Sequence, residues 1–314
     1  MKKKYKNKIG KLTFFLIILI LAATVSYFLD FKDMKLVSTD SLINDNSNDY
    51  LAETVEPLLE VHYIDVGQAD AILIKQGEHS MLIDAGKNTT KDYLNNYIID
   101  KNITKFEYVV GTHVHEDHIG GMDMIVKNFD IDNIFFPKST SNTKTFENFI
   151  SAVKLKNKKI YSPKSGEKFK FGDAELEIIA PNSSKYDDLN NYSICIKLTY
   201  KKIKFLFMGD AEELSEREIL DNNLDIDCNV LKLGHHGSKT STSSQFLEKV
   251  SPQYAVLSCG KNNDYSHPAK TTMLKLKAND IKVFRTDESG TIVLSTDGEN
   301  ISSNVKEGTY NYGK

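Results

Sequence analysis

The 314-residue sequence has little cysteine: Cys195, Cys228 and Cys259 only. An odd count without a C-x-x-C pair excludes a disulfide framework or a zinc ribbon as the organising device. Tryptophan is absent, and arginine is confined to Arg217 and Arg285. Gly77 and Gly86 are isolated turn glycines, so a glycine-rich nucleotide loop is absent too. Positive charge is outweighed by acid outside one place. Lys2, Lys3, Lys4, Lys6, Lys8 and Lys11 precede the first long apolar run, and the remainder holds 34 basic residues against 43 acidic, a balance of −9. That argues against a body held to nucleic acid by bulk charge, while leaving room for a local basic groove.

The apolar run itself, residues 12–29, reads LTFFLIILILAATVSYFL and carries no charge. Eighteen helical residues span roughly 27 Å, close to the hydrocarbon thickness of a bilayer. The basic flank 1–11 before it and Asp30 after it predict a single transmembrane helix with the N-terminus inside and the body outside. A cleaved signal peptide, giving a secreted protein, is the rival; the length of the run and the lack of a small-x-small site favour the anchor. Residues 30–57 read as a polar stalk, and 298–314 as a polar tail expected to fray.

Between them, residues 58–297 alternate strand-like and helix-like segments. Strands are expected at 60–66, 71–75, 81–84, 107–111 and 133–136, then at 175–179, 193–199, 204–208, 230–233, 254–258, 282–285 and 291–295. Helices are expected at 91–100, 119–128, 145–154, 212–222, 243–249 and 270–278. The pattern is two β-rich halves, each closed by helices, a layered α/β arrangement.

One stretch carries chemistry. Val109-Val110-Gly111-Thr112-His113-Val114-His115-Glu116-Asp117-His118-Ile119-Gly120-Gly121 is an apolar strand ending in a loop of three histidines and an aspartate. His113 and His115 alternate along extended chain and project the same way, and Asp117 and His118 follow where the chain turns. Imidazole with carboxylate suits zinc, manganese or iron. Gly120 and Gly121 allow close backbone approach behind such a site.

This H-x-H-x-D-H run resembles the signature of the metallo-β-lactamase fold superfamily. Ile64-Asp65-Val66-Gly67-Gln68-Ala69-Asp70-Ala71, Met81-Leu82-Ile83-Asp84-Ala85-Gly86, Phe207-Met208-Gly209-Asp210, Leu231-Lys232-Leu233-Gly234-His235-His236-Gly237-Ser238 and Tyr265-Ser266-His267-Pro268 are similar to motifs of the C-terminal hydrolase domain of ComEC-type competence proteins. Teichoic acid phosphorylcholine esterases resemble the same domain. Ala69 departs from the usual glycine. ComEC channels are polytopic, so a chain with one apolar span is not itself a DNA channel. The resemblance implies a four-layered αββα metallo-β-lactamase fold over residues 58–297.

It also implies two divalent metals, zinc or manganese. Many superfamily members supply a third histidine to the first metal from the middle of the chain. Here no histidine lies between His118 and His235. The expected sets are therefore His113, His115 and Asp210 for one ion, and Asp117, His118, His236 and a shared oxygen of Asp210 for the other. His236 is favoured over His235 as the ligand, with the reverse left open. Asp117, His235 and His267 are the candidate proton-handling or substrate-contacting groups. Asn191 and Ser193 are weaker candidates for substrate contact. Asp65, Asp70 and Asp84 are candidates for orienting imidazoles or for capping turns. His62 and His79 read as ordinary strand or turn residues.

The expected function is a membrane-anchored, extracytoplasmic, dinuclear hydrolase of phosphodiesters. A hydroxide bridging the two metals would attack, and the partner would be a phosphodiester such as single-stranded DNA. Lys138, Lys144, Lys164, Lys168, Lys201, Lys202, Lys204, Lys239, Lys261 and Lys270 could supply local positive charge for a strand if they converge. Hydrolysis of acyl substrates (lactone, thioester or β-lactam) and a non-catalytic DNA-uptake or envelope binding module are the alternatives. Oligomeric state is not legible.

Overall fold

The computed structural model describes residues 58–313. The anchor expected at 12–29, its flank and the stalk lie outside the described residues. No helix among the described residues is long and apolar enough to cross a membrane.

Two mixed β-sheets form the centre. The first contains β1 (Leu59–Tyr63), β2 (Ile72–Gln76), β3 (His79–Ile83), β4 (Lys105–Val110), β5 (Asp130–Phe135), β6 (Ile160–Tyr161), β14 (Ile292–Thr296) and β15 (Ile301–Ser303), in the order β15-β14-β1-β2-β3-β4-β5-β6. The second contains β7 (Lys168–Phe171), β8 (Ala174–Ala180), β9 (Cys195–Tyr200), β10 (Ile203–Phe207), β11 (Val230–Lys232), β12 (Tyr254–Leu257) and β13 (Lys282–Arg285), in the order β13-β12-β11-β10-β9-β8-β7.

Alternation along the strands sorts the core into layers. Val61, Tyr63, Ile74 and Met81 from the first sheet meet Leu176, Leu198, Phe205 and Phe207 from the second in one buried cluster. The opposite faces bury helices. Leu73, Leu82, Phe106 and Val109 pack against Leu94, Ile98, Ile125 and Phe149. Leu206, Leu231, Ala255 and Val283 pack against Ile219, Phe246, Met273 and Leu276. The result is helix, sheet, sheet, helix, as the alternating segments predict.

β3, β4, β5 and β6 run parallel, as do β10, β11, β12 and β13. Their carboxyl ends in each sheet carry the loops that hold the metal-type side chains. One expected helix is divided. Where 119–128 reads as continuous, a short helix Glu116–Ile119 precedes Met122–Asn128. Gly120 and Gly121 sit at the break because a Cβ on Gly120 would fall 2.2 Å from Asn88 N, and one on Gly121 2.5 Å from Ala85 O. The two segments are tied there by Gly120 N to Gly86 O (2.8 Å), Gly121 N to Ala85 O (3.2 Å) and Ala85 N to His118 O (2.6 Å).

The tail corrects its expectation. Rather than fraying, residues 298–313 are packed. Ile301–Ser303 pairs with β14, Tyr310 OH donates to Ile281 O at 2.9 Å, and Gly313 N donates to Pro268 O at 2.9 Å. Arg285, 4 % exposed, anchors this segment by donating to the carbonyls of Thr309 and Asn311 while pairing with Asp287 at 2.7 Å. Arg285→Ala is expected to cost about 1–3 kcal/mol through these orphaned carbonyls. Trypsin cleavage after Lys306, an exposed residue on the docked segment, should also quicken as that backbone detaches, read by mass spectrometry; an unchanged cleavage rate would contradict the anchoring role.

Candidate metal centre

Sequence places the metal-type residues at strand ends, and the fold brings the ends together. β4 delivers His113 and His115, and the turn after it delivers Asp117 and His118. β10 delivers Asp210, and β11 delivers His235 and His236. Asp117, His118, Asp210 and His236 form one group whose ligand-type atoms lie within 4.8 Å of one another, and His113, His115 and Asp210 form another. Asp210 belongs to both. Its Oδ2 lies 3.2 Å from His118 Nε2 and 3.8 Å from His113 Nε2, and its Oδ1 lies 3.7 Å from His236 Nε2.

The imidazoles are aimed by their second nitrogens. Asp84 Oδ2 accepts from His118 Nδ1 at 2.6 Å, which leaves the His118 Nε2 lone pair facing the site. Asp84 also accepts from Thr112 N and Thr112 Oγ1, both at 2.8 Å. With its proton so committed, Thr112 Oγ1 accepts from His113 Nδ1 at 3.1 Å and turns His113 Nε2 inward. One carboxylate thus orients two histidines, the second through a hydroxyl. His236 Nδ1 donates to Ser258 O at 2.9 Å and lies 3.3 Å from Asp70 Oδ1. Asp70 in turn pairs with Lys232 at 2.7 Å, and both side chains are at most 1 % exposed. Asp65 faces elsewhere: its Oδ1 accepts from Gly67 N at 3.1 Å and closes a turn.

Two adjacent histidines on a regular strand end would point apart. The chain avoids this by taking left-handed backbone at both, with φ of 47° at His235 and 55° at His236. Such conformations cost of order 1–3 kcal/mol each outside glycine. The return is that both Nε2 atoms approach Asp210, His235 at 3.8 Å. The two differ in setting. His236 is buried, whereas the His235 side chain is 25 % exposed and its Nδ1 is held by Glu212 at 3.1 Å.

Electrostatics identify what the cluster needs. Asp70, Asp84, Asp117 and Asp210 converge with Lys232 as the one buried lysine among them. Burial disfavours charge on His236, but Asp210 and Asp70 overcome it and push its pKa up to about 10. His118 is likewise driven well up against burial by Asp210, Asp84 and Asp117. Despite burial, Lys232 holds the Asp70 carboxyl down to about 2. His118 Nε2 and Asp210 Oδ1 are buried without a hydrogen-bond partner. Orphaned lone pairs amid surplus carboxylate are what a divalent cation satisfies, so the residues fit a metal.

The cluster forms the floor of a cleft of about 390 Å³, whose walls include Gln68, Lys87, Asn190, His235, Tyr265 and His267. His267 Nδ1 lies 3.3 Å from Gln68 Nε2; burial, His236 and His235 bring its pKa down to about 4. The weaker candidates sort differently from expectation. Asn191 does not face the cleft: its Oδ1 accepts from Glu212 N and Ser215 N. Its neighbour Asn190 does. Ser193 Oγ accepts from Asp210 N at 3.0 Å, so it positions the shared carboxylate rather than contacting substrate. Thr112 and Lys232 went unassigned in sequence because a hydroxyl and a lysine carry no ligand pattern. His62 and His79 are ordinary, bonded to Tyr97 and Glu107.

The sequence pattern of the metallo-beta-lactamase superfamily matches residues 64–261. This chain belongs to that superfamily. ComE operon protein 3 of Bacillus subtilis is 28 % identical over 251 residues, covering 74 % of this chain and 32 % of that protein. Competence protein ComA of Neisseria gonorrhoeae is 27 % identical over 232 residues, covering 73 % and 31 %. The chain therefore spans about a third of the length of these curated relatives. Among solved structures, the metallo-beta-lactamase fold protein YhfI from Bacillus subtilis superposes with a TM-score of 0.52 at 11 % identity, covering 76 % of this chain and all of that one. That likeness concerns the fold. The chain is a metal-dependent hydrolase of the superfamily, related to competence proteins.

Two predictions follow from the orienting bonds. Asp84→Asn is expected to weaken metal binding about 10- to 100-fold, with Thr112→Val weaker in the same direction. Competition against a chromogenic chelator measures both, and wild-type affinity in Asp84→Asn would refute the orienting role. Lys232→Met strips Asp70 of its buried ammonium, leaving only His236 beside it, and should cost about 3–5 kcal/mol in urea unfolding. Adding Asp70→Asn should recover part of that loss.

Proposed function

We propose that this chain is an envelope-anchored, outward-facing phosphodiesterase. The observation that carries the reading is the sharing of Asp210 between two adjacent groups of ligand-type side chains. His113, His115 and Asp210 would hold one divalent ion, zinc or manganese, and Asp117, His118, His236 and Asp210 the other. Ions so paired supply Lewis acidity and a water of lowered pKa, suited to in-line displacement at phosphorus.

The chain's own groups fit the remaining tasks. Water is the fitting nucleophile because Cys195, Cys228 and Cys259 are all buried, with thiols pushed up chiefly by that burial, and no serine lines the cleft. Lys87 and Asn190 stand where they would receive anionic oxygens. Asp117, half-buried beside His236 at 3.3 Å, is placed to take a proton from the attacking water. His235 and His267, partly exposed in the cleft wall, are placed to orient the diester or return a proton to the leaving oxygen. A quaternary ammonium group calls for several aromatic rings. Tyr265 is the one Phe, Tyr or Trp among the cleft's lining residues, so nucleic acid is favoured over a choline ester. Kinship with competence proteins and the apolar run at 12–29 support an envelope location.

The test is hydrolysis of bis-p-nitrophenyl phosphate and of a chromogenic β-lactam by the purified 314-residue chain with zinc or manganese. Diester cleavage lost in Asp210→Asn, together with bound metal falling below two per chain, is expected. Lactam cleavage alone would overturn the reading. His267→Ala should slow diester turnover by about 10- to 1,000-fold while leaving metal content unchanged. Loss of metal in that variant would place His267 among the ligands instead.

A further inference from the structure

A second groove, of about 480 Å³, is lined by Lys138, Lys164, Tyr192 and serine- and proline-rich turns. No aspartate or glutamate is among its lining residues. On a body with more acidic than basic residues, that exclusion stands out. Lys138 and Lys164 are exposed, and neither ammonium has an ion-pair or hydrogen-bond partner among the described residues. Four other candidate lysines are neutralised locally. Lys144 pairs with Glu147, Lys168 with Glu175, Lys202 with Glu299 and Lys204 with Asp227.

The groove shares a rim with the metal-type cluster. Lys138 follows β5, which runs parallel to β4, and Lys164 follows β6, parallel to β5. The Pro181–Ser184 wall follows β8, which is antiparallel to β9, itself antiparallel to β10; β8 therefore ends at the same rim as the strand carrying Asp210. One short turn, Leu189–Tyr192, joins the two spaces: Asn190 lines the cleft and Tyr192 lines the groove. Asn190 is 6 % exposed and its Oδ1 makes no hydrogen bond, so the junction carries a buried polar atom without a partner.

We infer that this groove is a subsite for the next phosphates of an extended single-stranded nucleic acid, with Lys138 and Lys164 receiving its backbone and the Asn190 turn passing it from the cleft. The inference rests on the phosphodiester reading for the identity of the chain. Its physical content is an electrostatic track continuous with the cleft, reading no sequence.

The test is binding of a fluorescein-labelled 12-nucleotide single-stranded DNA to the 314-residue chain, by anisotropy, across a salt series. The double reversal Lys138→Glu with Lys164→Glu is compared with Lys154→Glu with Lys156→Glu, which puts the same charge change at the far end of the Lys144–Leu155 helix. The groove variant should lose at least about tenfold in affinity at low salt, and its log–log salt slope should fall by about 1.4, the signature of two lost phosphate contacts on a single strand. The control should stay near wild type. Equal behaviour of the two variants, or no binding by wild type, overturns the subsite. Turnover of bis-p-nitrophenyl phosphate separates the two ideas. Groove-dependent DNA binding without diester cleavage sinks the catalytic reading and leaves the subsite standing. Diester cleavage with groove-independent binding does the reverse.

Discussion

The structure depends on concentrating negative charge where two sheets meet. Asp70 between β1 and β2, Asp84 after β3 and Asp117 after β4 come from the first sheet, and Asp210 comes from the second. In a water-poor rim, such carboxylates repel one another unless positive charge is interleaved. Lys232 supplies one such charge, reaching from the end of β11 to Asp70 on the opposite sheet. The imidazoles supply the rest of the contacts, and their remaining nitrogens are committed to Asp84, Thr112 and Ser258. The cluster is therefore also a cross-sheet fastening. Cations held there would serve cohesion as well as chemistry.

Much of this could be read from the residues, for reasons that also mark the boundary of reading. β-strands at the centre announce themselves because they are apolar on both faces, as Phe205–Met208 and Val230–Leu233 show. The H-x-H-x-D-H run is legible because four ligand-type side chains in six positions have few other uses. Edge strand β7 was not expected, because its sequence KFKF mixes exposed lysines with phenylalanine. The docking of the tail was equally silent. It rests on backbone carbonyls received by one buried guanidinium, and carbonyls leave no pattern in sequence. Within the site, the ligand-type residues and the carboxylates Asp70 and Asp84 beside them were readable, and the hydroxyl and amide supports were not. Thr112 matters through a hydroxyl relay, and Asn190 rather than Asn191 faces the cleft because a tight turn decides which of two neighbours looks outward.

Charge bookkeeping over a whole chain also proves a coarse guide. The net acidic balance of the body coexists with a rim groove from which acids are missing. Of the ten lysines that sequence offers as candidates, Lys144, Lys168, Lys202 and Lys204 are spent on neighbouring carboxylates. What distinguishes Lys138 and Lys164 is position: they lie at the ends of strands that run toward the metal-type cluster, where proline and serine turns leave no acid to answer them.

The crossing of residues 84–88 with 118–121 has a mechanical consequence. Backbone meets backbone there with no space for a side chain, joined by direct hydrogen bonds. That wall of the cleft is stiff, since it can yield only by breaking those bonds. The facing wall is built differently. The segment from Gly260 to Pro268 is tied by side chains as well as backbone: Asn263 donates to the carbonyls of Gly260 and His267, Gln68 Oε1 accepts from Gly260 N at 3.0 Å, and Gly313 N donates to Pro268 O at 2.9 Å, while its Tyr265 is 68 % exposed. Tyr265 can turn by side-chain rotation alone, so the cleft adjusts to a bulky chain at that ring rather than by parting its walls.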